Sequence, residues 1–479
     1  MESARIRALN AARGRVYIRP TFMAAMPAGL KRDGVSDSTS PLPRAKPRGM
    51  TDASLAARGA ALDLLETVLR KKTPLDDAFD AHEGLDALEP RDRGFVRLMV
   101  ATVLRRLGQI DALITETLTK PDPIKAGVLD ILRLGAAQLV FLDTPAHAAV
   151  DTSVAVAEQR GLQHYKGLIN AVLRRVAREG ADIVKKQDAG RLNTPDWLWL
   201  AWRTAYGTPR TRGIVEANLI EAPLDLTAKS NPQEWAAKLD GAVLPTGTIR
   251  RASGGQVSEL PGYDDGAWWV QDAAAALPAK LFGDIAGKTV YDLCAAPGGK
   301  TAQLAAAGAK VTSLDRSERR LRRLAANLER LNLWADTLTA DAATWKPDEL
   351  ADAVLLDAPC SATGAIRRHP DIMRLKTQED VTKLAGAQRR LLAHAVDLVK
   401  PGGTLIYCTC SLQPEEGEQR IAHLLSTGAP VDRSPVTPDE LGGLSELING
   451  NGEVRTLPGQ LAELGGIDGF FIARLVRRT

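Results

Sequence analysis

Val290-Tyr291-Asp292-Leu293-Cys294-Ala295-Ala296-Pro297-Gly298-Gly299-Lys300-Thr301 is the stretch from which the fold is read. Its first residues are an apolar run of strand length, and the chain then turns through Pro297-Gly298-Gly299 into a helical pattern. A buried strand turning through glycine into a helix is how open α/β sheets present a ligand loop, because backbone amides can approach the ligand there. The phosphate-gripping pattern G-x-x-x-x-G-K-[ST] matches at Gly299-Lys300-Thr301 but requires glycine where Cys294 stands. The dinucleotide pattern G-x-G-x-x-G is absent too, so the loop favours neither ATP nor NAD.

Working outward, strand-like runs at 289–293, 310–314, 337–339, 353–356 and 404–408 alternate with helical stretches such as 318–331 and 377–399. That alternation predicts a mostly parallel sheet covered on both faces. The run Gly469-Phe470-Phe471-Ile472-Ala473-Arg474-Leu475 predicts one more strand, added antiparallel at an edge. Upstream, over 54–179, apolar residues recur at three- to four-residue spacing, as in Ala56, Ala60, Leu64, Val68 and in Phe95, Leu98, Met99, Val103. This predicts a compact helical bundle, with loops at Thr73-Pro74, 120–123 and Thr144-Pro145. Between the two lie a pair of connecting helices (around Trp197 to Trp202 and Ile214 to Leu219) and short strands near Leu224 and Arg250. Trp268 and Trp269 read as packing against the following domain rather than as a base-stacking platform. The expected organisation is a flexible basic arm (1–52), an all-helical domain (53–180), connecting helices with a small α/β subdomain (181–265) and a Rossmann-like α/β domain (266–479).

Ligands in such sheets sit beyond the carboxyl ends of the strands. Asp315 ends the second strand seventeen residues after Gly298, close to the spacing at which an acid accepts hydrogen bonds from ribose hydroxyls. Asp341 ends the third strand, within reach of an adenine edge, and Asp357 ends the fourth. A lone acid after a strand more often caps a helix. Three in register point instead to a small adenosine ligand without a pyrophosphate. Two further phrases follow strand-like runs: Asp357-Ala358-Pro359-Cys360-Ser361 and Tyr407-Cys408-Thr409-Cys410-Ser411. A thiol at a strand's carboxyl end, beside a carboxylate, suits covalent chemistry better than core packing.

The 479-residue chain carries a net charge of +4, but residues 1–50 alone carry +7, which leaves the remainder at −3. Any nucleic-acid binding must therefore come from local patches. Arg91, Arg93, Arg97, Arg105 and Arg106, with Lys166, Arg174, Arg175 and Arg178, form one candidate basic face on two helices. The arm is Arg-rich like a transit peptide, but Pro41, Pro43, Pro47 and Gly49 favour a flexible tail. No apolar run approaches the roughly 18 residues of a membrane span, so none is expected. Four cysteines give no disulfide framework and point to a reducing, cytoplasmic compartment. Cys408-x-Cys410 lacks the second ligand pair of a zinc site, so no metal is expected.

Three phrases carry a family resemblance. Asp292 to Thr301, Asp357-Ala-Pro-Cys-Ser-Ala-Thr-Gly-Ala-Ile-Arg-Arg-His-Pro-Asp371 and Tyr407-Cys-Thr-Cys-Ser-Leu-Gln-Pro-Glu-Glu416 resemble the signature motifs of the S-adenosylmethionine-dependent RNA cytosine-5 methyltransferases. The segments around Leu132 to Gly135, Pro145 to His147 and Lys166 to Arg174 resemble the NusB-like domain of the RsmB/Sun subgroup, which modifies bacterial small-subunit ribosomal RNA. One departure is Ala362, where the family usually has glycine; it bears on loop conformation rather than chemistry.

The resemblance implies a fold, a cofactor and a set of roles. Cys410 is the expected nucleophile toward carbon 6 of cytosine, which turns the ring into an enamine whose carbon 5 can attack a sulfonium methyl. Cys360 is expected to assist product release, and Asp357 to hydrogen-bond the base. Cys294, Ala295, Ala296, Pro297, Gly298, Gly299, Lys300, Asp315, Arg320, Asp341 and Asp357 are the expected contacts to S-adenosylmethionine. Arg367, Arg368 and His369 are expected to hold the RNA backbone, and Lys300 with these arginines to lower the thiol's pKa. The expected partner is small-subunit ribosomal RNA before or during assembly, met by a monomer. Three other readings stay open: a methyltransferase for another RNA such as tRNA, a non-catalytic RNA-binding protein, and a thiol oxidoreductase using Cys408 and Cys410.

Overall fold

The computed structural model describes residues 52–118, 123–252 and 255–479. The expected basic arm lies outside these residues apart from Asp52, as does most of the 120–123 loop. Helices α1 (Asp52–Lys71), α2 (Leu75–Asp80), α3 (Pro90–Thr117), α4 (Ala126–Val140), α5 (Ala146–Gln159) and α6 (Lys166–Lys186) enclose the first core. Proline stands just before α2 and α5 and at the first position of α3, where its missing N–H costs nothing. The periodic residues meet inside: Leu64, Val68, Met99, Val103, Ile131, Leu132, Ile169, Leu173 and Val176 are all buried together. α6 runs seven residues past the expected end at 179, closing on Lys185 and Lys186, whose charges suit a helix C-terminus.

The expected basic face is mostly consumed by partners. Arg97 pairs with Asp76 at 2.6 Å, Arg175 with Glu179 at 2.9 Å, and Lys166 with Glu158. Arg105 is buried and donates to the Arg367 carbonyl at 2.7 Å, while Arg106 reaches the Leu219 carbonyl at 3.0 Å. These last two are fasteners to the rest of the chain, not a surface for phosphates.

The short α7 (Ala189–Asn193) leads into α8 (Asp196–Asn218), which holds both expected connecting helices with a break at Gly207 (φ 77°) ahead of Pro209. Strands β1 (Leu224–Ala228), β2 (Ala242–Val243), β3 (Ile249–Arg251) and β4 (Trp268–Val270) make an antiparallel sheet in the order β2-β3-β1-β4, with α9 (Pro232–Lys238) against it. β4 pairs with β1, so this small sheet reaches past the boundary expected at residue 265. Trp268 and Trp269 are both buried, and Trp269 also reaches the wall of a cavity.

After α10 (Leu277–Lys280) comes the main sheet. It comprises β5 (Thr289–Leu293), β6 (Lys310–Asp315), β7 (Asp336–Thr339), β8 (Ala351–Asp357), β9 (Val399–Thr409), β10 (Val431–Arg433), β11 (Val454–Thr456) and β12 (Phe470–Arg477). The order is β10-β12-β9-β8-β5-β6-β7, with β11 also on β12. β7, β6, β5, β8 and β9 are parallel, and β12 runs antiparallel to β9. β12 is not an edge: β10 and β11 pair with it as well, because residues 431–456 return to cover its free side. Helices α11 (Gly299–Ala306), α12 (Glu318–Arg330), α13 (Ile372–Leu375), α14 (Gln378–Asp397) and α15 (Glu418–Ser426) complete the domain. Alternate strand residues feed two cores, Val290, Leu355, Ile406 and Cys408 on one face and Leu293, Leu356, Tyr407 and Phe471 on the other. The chain builds β5-β6-β7 outward and then returns to β8 on the other side of β5. This reversal opens a crevice at the ends of β5 and β8.

Among the described residues no helix is long and apolar enough to cross a membrane, and no group of three or more His, Cys, Asp or Glu is placed to hold a metal. The helical domain meets α7 at Gly108, where an added Cβ would lie 1.8 Å from the Leu192 carbonyl oxygen. Gly108→Ala is expected to lower stability by about 1–3 kcal/mol through overpacking. Gly94→Ala on the same helix, with open space around it, is expected to gain up to about 1 kcal/mol of helix propensity. Denaturant titration of the two variants checks the contrast.

Candidate active site

The loop between β5 and α11 is pinned from below. Cys294 (φ 64°) and Gly298 (φ 102°) both take left-handed backbone, and a Cβ on Gly298 would come within 2.6 Å of Leu324. Asp292 is fully buried; its Oδ2 accepts from Thr301 Oγ1 at 2.6 Å, while Oδ1 has no partner among the described residues. Burial pushes its pKa up to about 7, against the Thr301 hydrogen bond, with the charge of Asp357 adding to the rise. Asp315, also buried, accepts from the amides of Ala296 (3.2 Å) and Ser317 (2.9 Å) and pairs with Arg320 at 3.3 Å. Asp341 is exposed and accepts from the Ala343 amide at 3.0 Å. These acids shape the turns at the strand ends, Asp315 holding the Ala296 amide in the loop that opens α11. A cationic adenosine compound suits this donor and acceptor set.

β8 and β9 lie in parallel register with Asp357 opposite Cys408. The chain beyond each strand therefore starts level, and Cys360 Sγ comes to 3.4 Å from Cys410 Sγ. Lys300, from the first turn of α11, donates to Asp357 Oδ2 at 2.7 Å, and the Cys408 thiol donates to Oδ1 at 3.5 Å. Burial disfavours the charged form of Lys300, but Asp357, then Cys408 and Cys410, outweigh it and raise its pKa. Cys408 is sealed in the core, its thiol pushed well above the ordinary value by burial and by Asp357. The sulfurs in contact are thus Cys360 and Cys410, not the sequence neighbours Cys408 and Cys410. Cys294 is likewise raised, to about 12, mainly by burial.

A cavity of about 600 Å³ opens over this arrangement. Ala295, Pro297, Gly298, Gly299, Lys300, Asp357, Arg368, His369 and Cys410 line it, together with Trp269, Gln271, Asp272 and Phe470 from segments that no motif singled out as binding residues. Cys294, Ala296, Asp315, Arg320, Asp341, Cys360 and Arg367 are not among its walls; Cys360 lies against Cys410. Ala362 adopts φ 58°, ψ 24°, the left-handed conformation that glycine takes without strain, so the alanine is accommodated rather than the loop rebuilt.

The expected phosphate contacts of the next residues require correction. Arg367 is 2% exposed, lies 2.8 Å from Asp468 and donates to the Gly465 carbonyl at 3.1 Å. Arg368 is shared among Asp272 (2.7 Å), Asp468 (3.1 Å) and Asp225 (3.2 Å). These guanidinium groups neutralise carboxylates on and beneath the cavity wall and have little charge left for a phosphate or for a thiolate. His369, half-exposed, sits 3.3 Å from Asp76 of the helical domain. Sequence reasoning also missed Glu416, which enters only as the last residue of the third motif phrase. It turns inward and accepts from the Ser361 amide at 2.9 Å and from Ser411 Oγ at 2.6 Å.

A family model described as 16S rRNA methyltransferase RsmB/F matches residues 283–476, and a NusB family model matches 55–178. The chain is 36% identical over 441 residues to ribosomal RNA small subunit methyltransferase B of Vibrio cholerae, covering 88% of this chain and 97% of that one. It is 34% identical over 448 residues to the protein of the same name in Cronobacter sakazakii, covering 89% and 99%. The crystal structure of PH0851 shares the fold at TM-score 0.70 and 22% identity, over 90% of this chain and 100% of that one. That of a methyltransferase homolog protein from Pyrococcus horikoshii matches 60% of this chain and 96% of its own at TM-score 0.51 and 25% identity.

Two measurements probe this geometry. Gly364 donates its amide to the Cys410 carbonyl at 2.9 Å, and a Cβ there would lie 1.9 Å from the Gly469 carbonyl oxygen. Gly364→Ala is expected to cost about 1–3 kcal/mol of stability and to lower turnover by separating the cysteine loop from β12. The second concerns Asp292, an acid of raised pKa. Between the unfolded value near 4 and the folded value of about 7, the native state holds a proton that the unfolded chain has lost. Stability present at low pH is therefore lost as pH rises through that window, with a slope of up to about 1.4 kcal/mol per pH unit. Asp292→Asn is expected to flatten the pH 4–7 stability profile, as read by urea titration at each pH.

Proposed function

Since the chain belongs to the 16S rRNA methyltransferase RsmB/F family, whose members methylate ribosomal RNA from S-adenosylmethionine, we propose that it methylates carbon 5 of a cytosine through a transient Cys410–carbon 6 bond. The supporting observation is the meeting of a partly buried thiol, Cys410, with the Lys300–Asp357 pair on the wall of one cavity. When bound, S-adenosylmethionine supplies a sulfonium methyl group. Everything else falls to the protein's side chains.

The Cys410 sulfur adds to carbon 6, and the electron pair of the 5,6 double bond becomes available at carbon 5 for attack on the methyl carbon, whose bond to the sulfonium breaks with the electron pair staying on the donor sulfur, which leaves as a neutral thioether. Asp357, oriented by Lys300 on one oxygen and Cys408 on the other, accepts a hydrogen bond from the exocyclic amine of the base as the thiolate adds. After transfer a base takes the carbon 5 proton, the 5,6 double bond re-forms and the carbon 6–sulfur pair returns to Cys410. Cys360, at 3.4 Å, donates a hydrogen bond from its thiol to the departing sulfur. The lysine beside the thiol pair supplies the positive charge that the buried arginines cannot.

The target base must be unstacked to reach a 600 Å³ cavity, which favours a single-stranded loop or bulge of small-subunit ribosomal RNA. Cys360→Ala is expected to accumulate a covalent protein–RNA adduct on denaturing gels and Cys410→Ala to form none. The reverse pattern overturns the assignment of roles. Bisulfite sequencing of ribosomal RNA from cells with and without the protein identifies the nucleotide. A protein that binds the RNA without methyl incorporation would favour the non-catalytic reading.

A further inference from the structure

One carboxylate ties the two cysteine loops together. Glu416 is fully buried in the turn after β9. Its Oε1 accepts from the Ser361 amide at 2.9 Å and from Gln388 Nε2 at 3.0 Å; its Oε2 accepts from Ser411 Oγ at 2.6 Å and from Ser361 Oγ. Ser361 follows Cys360 and Ser411 follows Cys410, so each tie lies one residue from a sulfur. Gln388 also donates to the Pro359 carbonyl at 2.9 Å, and Tyr407 Oη to the Glu416 carbonyl at 2.7 Å. The glutamate's own place is thereby held from α14 and from β9.

We propose that Glu416 is a positioning residue that holds the two active-site sulfurs in contact and decides which of them carries negative charge, keeping Cys360 a thiol and leaving Cys410 the nucleophile. This rests on the reading of Cys410 as nucleophile. The two sulfurs lie in unlike fields. Cys360 faces Cys410, the Glu416 carboxylate and the Tyr407 phenol, whereas Cys410 shares the cavity wall with Lys300 and its partner Asp357. A negative charge buried behind Cys360 opposes a second one there. Consistent with this, the Cys360 thiol is pushed well above its ordinary value, by its hydrogen bond to Cys410 first, then by burial, with the charges of Cys410 and Glu416 adding. The proton of Cys410 leaves to solvent through the cavity, and the Cys360 S–H points its hydrogen at the resulting thiolate.

Glu416→Gln keeps the shape and removes the charge. Turnover is expected to fall about 100-fold with KM unchanged, the cost of sulfurs displaced on an ångström scale. Competitive iodoacetamide labelling of the RNA-free protein from pH 6 to 10, resolved by peptide mass spectrometry, is expected to show Cys410 labelled well before Cys360 in the native protein. The variant is expected to narrow that ratio at least tenfold. An unchanged ratio in a folded variant reduces Glu416 to a structural anchor and overturns the proposal, whatever happens to stability. Should Glu416→Gln fail to fold, Ser411→Ala carries the test through a loss of about tenfold in kcat at constant KM, and a native kcat overturns the proposal. Retention of methyl transfer by Cys410→Ala would instead sink the parent reading. The labelling experiment involves no RNA and no turnover, so the two failures are distinguishable.

Discussion

The parallel register between β8 and β9, with Asp357 opposite Cys408, is the constraint on which the site depends. Side chains alternate with a period of two, so a slip of β9 by one residue would turn Cys408 to the other face of the sheet and away from Asp357. That register is held by apolar burial on both faces, Leu355 and Ile406 on one and Leu356 and Tyr407 on the other. A hydrophobic preference thus fixes the placement of the reactive thiol relative to a carboxylate. The backbone bond from Gly364 to the Cys410 carbonyl, and that from Gly469 to the Gly364 carbonyl, carry the register on into the loops.

The helical domain is built into this arrangement rather than appended to it. Leu75 donates its amide to Asp371 at 3.0 Å, Lys72 reaches the Arg374 carbonyl at 3.1 Å and Arg105 the Arg367 carbonyl at 2.7 Å, so three contacts grip the segment that follows Cys360. The same short helix, α2, sends Asp77 to Arg319 and Asp80 to Arg323 on α12, beside the cofactor-side loop. Asp76 completes the set with His369. Burial disfavours the charged imidazole, but Asp76 outweighs it and raises the His369 pKa, while the same hydrogen bond holds the Asp76 carboxyl well below its usual range.

Charge explains much of what the linear pattern misread. Arg367, Arg368, Arg105 and Arg106 look alike in sequence, yet each lies at a junction where carboxylates or carbonyls wait for it: Asp468, Asp272 and Asp225 come from segments about 100 residues or more away. A buried guanidinium needs such partners, since its desolvation is otherwise prohibitive. The pairing is decided by which segments fold together, and no window of sequence contains that information. Glu416 belongs to the same class: its motif was visible, but its inward turn follows from Ser361, fifty-five residues earlier, offering an amide and a hydroxyl.

What the sequence determined by itself was local or periodic. Strand and helix periods placed the bundle and the parallel sheet, Pro297-Gly298-Gly299 marked the turn from strand into helix, and the Pro-Cys-Ser and Thr-Cys-Ser phrases marked the strand ends that carry sulfur. Tertiary structure alone decided that β12 lies inside the sheet, that β4 joins the smaller one, and that Cys360 rather than Cys408 touches Cys410. Local pattern reports which face of an element is apolar, because burial repays it residue by residue. Pairing between distant elements reports instead which partners satisfy each other's charges and hydrogen bonds, and those are settled only when the chain closes on itself.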